Sequence, residues 1–322
     1  MVVIPAIVFF LLLPHAVSDK SNLLFIIFDD LRPELSFYGS RHMLVPNMDR
    51  LANKSVIFNH AYCQIAVCNP SRDSLLTGLR PDTTGTYNFQ WSFKKHLIFP
   101  KRLVLSGYKT AGFGKVLHWE TDDRKVWSHD HWDGNWYDYQ AEELKYMNSS
   151  TTPDKLRPEE SFRDHMFTTR AIAALRTLHS SNSFFALGVG FKLPHLAVHI
   201  PFKHFDDCRN RQSLWTLTDI ERTYPPTSPA VSYRCCADKI FNYMNREGER
   251  KYERSRVLGN LRDTIPTDMR NELMWGYCGA VSFLDEQIGR ILDVIDELKL
   301  WSNLTVILTS DHGMHNGEKG MW

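Results

Sequence analysis

The sequence has no excess of charge of either sign. Its 38 Lys plus Arg stand against 37 Asp plus Glu, a formal charge of +1. A chain so balanced has no global field with which to grip a phosphate backbone, which argues against a nucleic-acid-binding protein. Cysteine is scarce, with six in 322 residues, too few for a disulfide-stapled scaffold. Only 23% of residues are charged while 12% are aromatic, a balance foreign to disordered chains. Beyond the N-terminus no apolar run reaches 18 residues, so no later segment has the length of a bilayer span. What remains is a 43% hydrophobic chain, long enough to bury roughly 75% of its extended surface.

The one long apolar run lies at the start, from Val2 to Leu13, and is broken by Pro14. The small residues Ala16 and Ser18 follow it. That order reads as a signal peptide over residues 1–18, cleaved before Asp19, with the mature chain free of the membrane. Three glycosylation sequons, at Asn53, Asn148 and Asn303, fit a secretory route. The Asn69-Pro70-Ser71 triplet is excluded by its proline.

Further along, Leu23–Phe28 is a continuous apolar run of strand length that stops at Asp29-Asp30. Ser183–Val189 and Leu304–Leu308 share its shape, and the latter leads into Ser310-Asp311-His312-Gly313. Strands apolar on both faces belong in a parallel sheet covered by helices. Leu284, Ile288, Ile291, Ile295 and Leu298 recur at helical spacing, and Asn47–Ser55 after Pro46 predicts a short helix. The expected fold is α/β, a mostly parallel sheet flanked by helices. Ligands in such folds bind beyond the carboxyl ends of strands, which singles out Asp29, Asp30, Asp311 and His312. Two polar stretches, Thr121–Glu160 and Asp206–Thr267, are expected to be irregular surface excursions.

The strongest local signal is Cys68-Asn69-Pro70-Ser71-Arg72, followed by Leu75-Leu76-Thr77-Gly78 and Arg80-Pro81. Taken alone, Cys68 reads equally as a buried small hydrophobe or as half of a disulfide with Cys63. Asp29-Asp30 and Ser310–Gly313, each alone, read equally as a capped turn and an ordinary loop. As a set, three carboxylates offer the hard oxygens that Ca²⁺ or Mg²⁺ prefers over zinc.

The cysteine motif resembles the signature of the sulfatase family, C-x-P-S-R followed by a T-G-R-like segment, with Leu79 departing at the first Arg. The resemblance implies an alkaline-phosphatase-like fold. It also implies oxidation of Cys68 to formylglycine by the formylglycine-generating enzyme in the endoplasmic reticulum. The hydrated aldehyde would offer one hydroxyl to attack sulfur and a second to release the sulfate. One Ca²⁺ would be held by Asp29, Asp30, Asp311, His312 and residue 68. His312, in place of the family's usual Asn, is similar to the iduronate-2-sulfatase branch, as are Phe28–Pro33, Arg80–Thr84 and Gly114–His118. By the same likeness Arg72 and Lys115 would hold developing charge, and His118 would manage the diol proton. Pro194-His195 matches a K-P-H motif in which His195 would protonate the leaving oxygen. Here Leu193 replaces the Lys, with Lys192 one residue earlier.

The implied reaction is hydrolysis of a sulfate ester on a glycosaminoglycan sugar or oligosaccharide, in the lysosome or outside the cell. An inactive homologue that binds sulfated glycans, and a phosphodiesterase of the same fold, are the alternatives. Family members continue past the S-D-H-G segment, so residues 19–322 are expected to form the N-terminal catalytic domain without its C-terminal subdomain.

Overall fold

Leu23–Phe28 does form the centre of a strand, because neighbours on both sides of the sheet cover it. The computed structural model describes residues 20–89, 96–118, 123–134, 151–211 and 267–316. The main sheet contains β1 (Asn22–Asp29), β2 (Lys109–Gly114), β3 (Asp130–Trp132), β5 (Phe185–Pro194) and β7 (Leu304–Ser310), in the order β3-β2-β5-β1-β7. Every pairing in it is parallel: Leu24 lies opposite Leu187, and Ile26 opposite Leu308. A separate parallel pair joins β4 (Thr151–Asp154) to β6 (Val198–Pro201).

The alternation of side chains along β1 shows why the run is apolar throughout. Leu24, Ile26 and Phe28 enter the larger core. Helices α5 (Arg163–Ser180) and α7 (Thr267–Glu297) contribute Leu175, Leu178, Phe283 and Leu284 to that core. Phe25 and Ile27 point the other way, into a smaller core. There they meet Leu76 of α2 (Cys68–Thr77), and Ile98 just before α4 (Phe99–Leu105). The result is a three-layer sandwich in which each fully buried Leu, Ile or Phe contributes about 1.5–3 kcal/mol.

The predicted helical face is correct, with Leu284, Ile288, Ile291 and Ile295 buried on α7; Leu298 lies just past its end and is partly buried. The predicted short helix is α1 (Pro46–Ala52), and α3 (Pro81–Thr84) follows α2. Two expectations change. The stretch Thr121–Glu160 is not wholly irregular, since β3 and β4 lie inside it, too short to show a period. The second excursion is preceded and entered by α6 (Phe202–Asn210), and a disulfide from Cys208 to Cys278 ties α6 to α7. Cys63 and Cys68 are free thiols, so the pairing weighed between them does not form. The signal peptide expected over residues 1–18, the Asn148 sequon and the adjacent cysteines Cys235 and Cys236 lie outside the described residues. No helix among the described residues is long and apolar enough to cross a membrane.

Candidate active site

The parallel sheet delivers its strand ends to one edge. There β1 ends at Asp29 and Asp30 follows it, the latter in the left-handed region at φ 68°. Beside it β7 gives way to Asp311 and His312, and the Asp311 amide continues the pairing by donating to Phe28 O at 3.1 Å. Gly114 ends β2 at φ 72°, a conformation that glycine adopts at no steric cost, and the chain then turns to present Lys115 and His118. At the end of β5 follow Pro194 and His195. Finally Cys68 is the first residue of α2 and Arg72 stands one turn later, where i and i+4 share a face. The helix N-terminus under Cys68 adds partial positive charge.

Arg72 organises the set. Its Nε donates to Asp311 Oδ2 at 3.0 Å, while Nη2 reaches Phe28 O at 3.2 Å and Asp29 Oδ1 at 3.5 Å. Nη1 donates to the carbonyls of Lys115 and Val116. One buried guanidinium thus ties together the ends of β1, β2 and β7. Lys115 Nζ bonds Asp29 Oδ2. The Asp311 carboxylate accepts the backbone amides of Asp30 at 3.1 Å and His312 at 2.8 Å through Oδ1, and Ser71 Oγ donates to its carbonyl.

His312 Nδ1 faces the Gly313 carbonyl at 3.0 Å. A carbonyl only accepts, so Nδ1 carries the proton, and Nε2 turns to Cys68 Sγ at 3.4 Å. His195 Nε2 stands 4.0 Å from Asp30 Oδ2. His118 is buried, with Phe89 against its ring at 5.3 Å.

Charge is crowded here. Burial works to raise Asp29, but Lys115, His195 and Arg72 outweigh it and hold the carboxyl well below the usual range. Burial and the Asp29 charge push Asp30 up to about 7. Burial raises Asp311 to about 6, with Arg72 opposing and Asp29 adding to the rise. Burial, then the charges of Lys115 and Arg72, drop His118 to about 3, so its imidazole is neutral. Burial and Asp29 push the Cys68 thiol up.

Ligand atoms of Asp29, Cys68, Asp311 and His312 all lie within 4.8 Å of one another. Asp30 Oδ1, buried, accepts no hydrogen bond, although His312 Nδ1 is 3.1 Å away. Three buried carboxylates around two fixed cations, Arg72 and Lys115, leave one excess negative charge when all are ionised. The residues therefore fit a divalent cation, and their oxygens fit a hard one.

The Sulfatase family model matches residues 21–322. The chain belongs to the sulfatase family. It is 34% identical to human iduronate 2-sulfatase over 96% of its own length and 57% of the relative's. Among solved structures, it is similar to one in complex with its substrate D-glucosamine-2-N,6-O-disulfate, with a TM-score of 0.69, 22% identity, and coverage of 94% of this chain and 67% of that one. It also resembles a phosphonate monoester hydrolase from Silicibacter pomeroyi, with a TM-score of 0.68, 18% identity, and coverage of 94% and 64%. At those identities the two structures speak to fold alone. This sulfatase chain spans somewhat over half the length of the curated iduronate 2-sulfatases it matches.

Of the nine site residues read from sequence, Asp29, Asp30, Cys68, Arg72, Lys115, Asp311 and His312 form one bonded cluster, with His195 at its rim and His118 within its field. Sequence reasoning missed Tyr277, whose hydroxyl donates to Asp30 O at 3.1 Å and accepts the Arg32 amide at 2.9 Å. It also missed Asp164, which accepts the amides of Lys192 at 2.9 Å and Leu193 at 3.1 Å and so fixes the exit of β5 before His195. Neither carries a local motif. Lys192 Nζ donates to Ala197 O at 2.7 Å, and Leu193 packs into the larger core.

Proposed function

We propose that this chain carries the chemistry of a sulfatase of the iduronate-2-sulfatase type, hydrolysing a sulfate ester on a glycosaminoglycan sugar. One observation bears most of the weight: Cys68, in a C-x-P-S-R sequence, shares a 4.8 Å cluster with Asp29, Asp311 and His312. Asp29, Asp30, Asp311 and His312 would hold a calcium ion together with residue 68. That ion would supply positive charge to a site whose three carboxylates, when ionised, outnumber its two fixed cations, and a sulfate monoester is itself an anion. A buried thiol with a raised pKa is a poor nucleophile, which supports formylglycine as the working form of Cys68, made by the formylglycine-generating enzyme. Hydrated, that aldehyde supplies a hydroxyl nucleophile.

The remaining roles belong to the residues themselves. Lys115 extends from β2 toward the strand ends and offers its ammonium to sulfate oxygens. Neutral His118 can accept a proton from a hydroxyl at position 68, and His195 can donate one to the departing sugar oxygen. Arg72 has its Nε and both Nη groups engaged by carboxylates and carbonyls, so we assign it as a positioning residue rather than a group that touches sulfate. Such a protein would travel the secretory route to the lysosome; the exposed sequon residues Asn53 and Asn303 are compatible with glycosylation on the way.

The test is peptide mass spectrometry at residue 68 on protein from a secretory host, with turnover of sulfated iduronate disaccharides and aryl sulfates in calcium. Formylglycine together with sulfate release is the expected result. An unmodified thiol with no turnover, but retained binding of sulfated glycans, would replace the enzyme by a binding protein.

A further inference from the structure

A second cluster, sharing no residue with the first, lies where the turn before α5 meets α6 and α7. Ligand atoms of Glu159, His204 and Glu286 lie within 4.8 Å of one another. Glu159 belongs to the short 3-10 turn Glu159–Ser161, His204 to α6 and Glu286 to α7. We propose that these three residues form a cation site that takes a first-row transition ion, Zn²⁺ above the others, and that the ion clamps the three elements together.

The imidazole carries the argument. His204 is 95% buried, being only 5% exposed, and its ring lies against Phe283 at 5.4 Å. Nδ1 is held by Ser282 Oγ at 3.0 Å, while buried Nε2 has no hydrogen-bond partner. Glu286 Oε2 stands 3.4 Å from that nitrogen. In the tautomer whose Nδ1–H donates to Ser282 Oγ, which is the one a metal at Nε2 requires, the Nε2 lone pair looks onto a carboxylate, an acceptor facing an acceptor. A cation between them resolves that opposition. A second group fixing the other ring nitrogen is the usual arrangement around a metal-bound histidine.

Lys203 shows where positive charge is wanted. Its Nζ sits 2.6 Å from Glu159 Oε2 and 3.0 Å from Glu286 Oε2. Its side chain is half exposed, so it can swing out and yield the carboxylates to a doubly charged ion. The carboxylates are themselves partly exposed and can close the roughly 1 Å that tetrahedral bonds of about 2.1 Å require. Imidazole with two carboxylates suits zinc and its neighbours, whereas Ca²⁺ asks for six to eight oxygens.

The experiment titrates the whole chain with Co²⁺, calcium being present throughout, and follows the visible d–d absorption of a low-coordinate site. Wild type is compared with Glu286→Gln and Lys203→Met, so that cobalt bound in the Asp29 cluster is common to all three. We expect a band abolished by Zn²⁺ and untouched by further Ca²⁺. Glu286→Gln should weaken cobalt binding by about tenfold or more. Lys203→Met, which removes the resident cation from a surface position, should strengthen it by about tenfold. Identical isotherms in the three proteins, or weaker binding in Lys203→Met, would overturn the proposal.

Discussion

At the scale of single residues, the candidate site depends on groups that have no water to fall back on. Arg72 is 1% exposed and faces two carboxylates that are fully buried at the side chain. Removing one partner of a buried ion pair leaves the other charge uncompensated, a loss of about 3–5 kcal/mol. Arg72→Met should therefore lower the free energy of unfolding by that much, read from urea curves as midpoint times slope; a midpoint unchanged from wild type would mean that Asp29 and Asp311 do not need the guanidinium. Cys68→Ala should behave oppositely. It removes a small buried side chain, keeps the fold, and abolishes sulfate release by at least about a thousandfold, read with an aryl sulfate. The nine candidate residues were legible because each lies in a short motif or at the end of an apolar run, and chemistry restricts what can stand there. Tyr277 and Asp164 were not legible. Tyr277 acts through backbone groups 245 and 247 residues away and Asp164 through groups 28 and 29 residues on, and a helix position carries no mark of such a partner.

Among the elements, apolar runs and helical spacing revealed β1, β7 and α7, because burial on two faces or one face imposes a period. The four-residue strands β4 and β6 escaped notice, since a pair that short has no room for a pattern. Their junction still has a titratable lock: Asp154 accepts the amides of Leu156 at 2.8 Å and Arg157 at 3.1 Å, and faces His199 Nε2 at 3.0 Å. Burial tends to raise this carboxyl, but the bonds from Leu156, His199 and Arg157 prevail and hold it below 3.8. A depressed carboxyl stabilises the fold above its unfolded value and loses that contribution as pH falls through its folded value. Asp154→Asn should therefore flatten the acid limb of stability below about pH 4, measured by urea midpoints across pH; an unaltered limb would exclude the lock.

A tighter constraint links β5 to β2. A Cβ on Gly190 would strike the backbone of Lys115 and Val116, which cannot move without moving the Lys115 ammonium. Gly190→Ala should cost about 1–3 kcal/mol and reduce kcat more than that loss of fold explains, tested by turnover under conditions where the variant is fully folded. The disulfide between α6 and α7 acts on the unfolded chain instead. Its half-cystines are 70 residues apart, so replacing both by Ala should remove about 4 kcal/mol.

For the molecule as a whole, the parallel topology sets the electrostatic problem that the proposed metal answers. Adjacent parallel strands β1 and β7 end side by side, and that register brings Asp29 and Asp30 against Asp311 although 281 residues separate Asp30 from Asp311. Like charges held together by the fold oppose the fold, and Arg72 and Lys115 offset only part of that opposition. A divalent cation that binds the folded arrangement and not the unfolded chain stabilises it by about 2.7 kcal/mol at a hundredfold excess over its dissociation constant. With an unfolding entropy of about 2.1 cal/mol/K per residue, each kcal/mol moves the melting point of a chain of 322 residues by about 1.5 °C. Calcium should thus raise the melting temperature by several degrees, EGTA should reverse the shift, and Asp311→Asn should lose most of it. Scans in calcium and in EGTA at matched ionic strength decide the matter, because screening alone acts equally in both. Coincident curves for the wild-type chain would mean that Arg72 and Lys115 suffice to balance the strand ends, and the calcium assignment would fail with them.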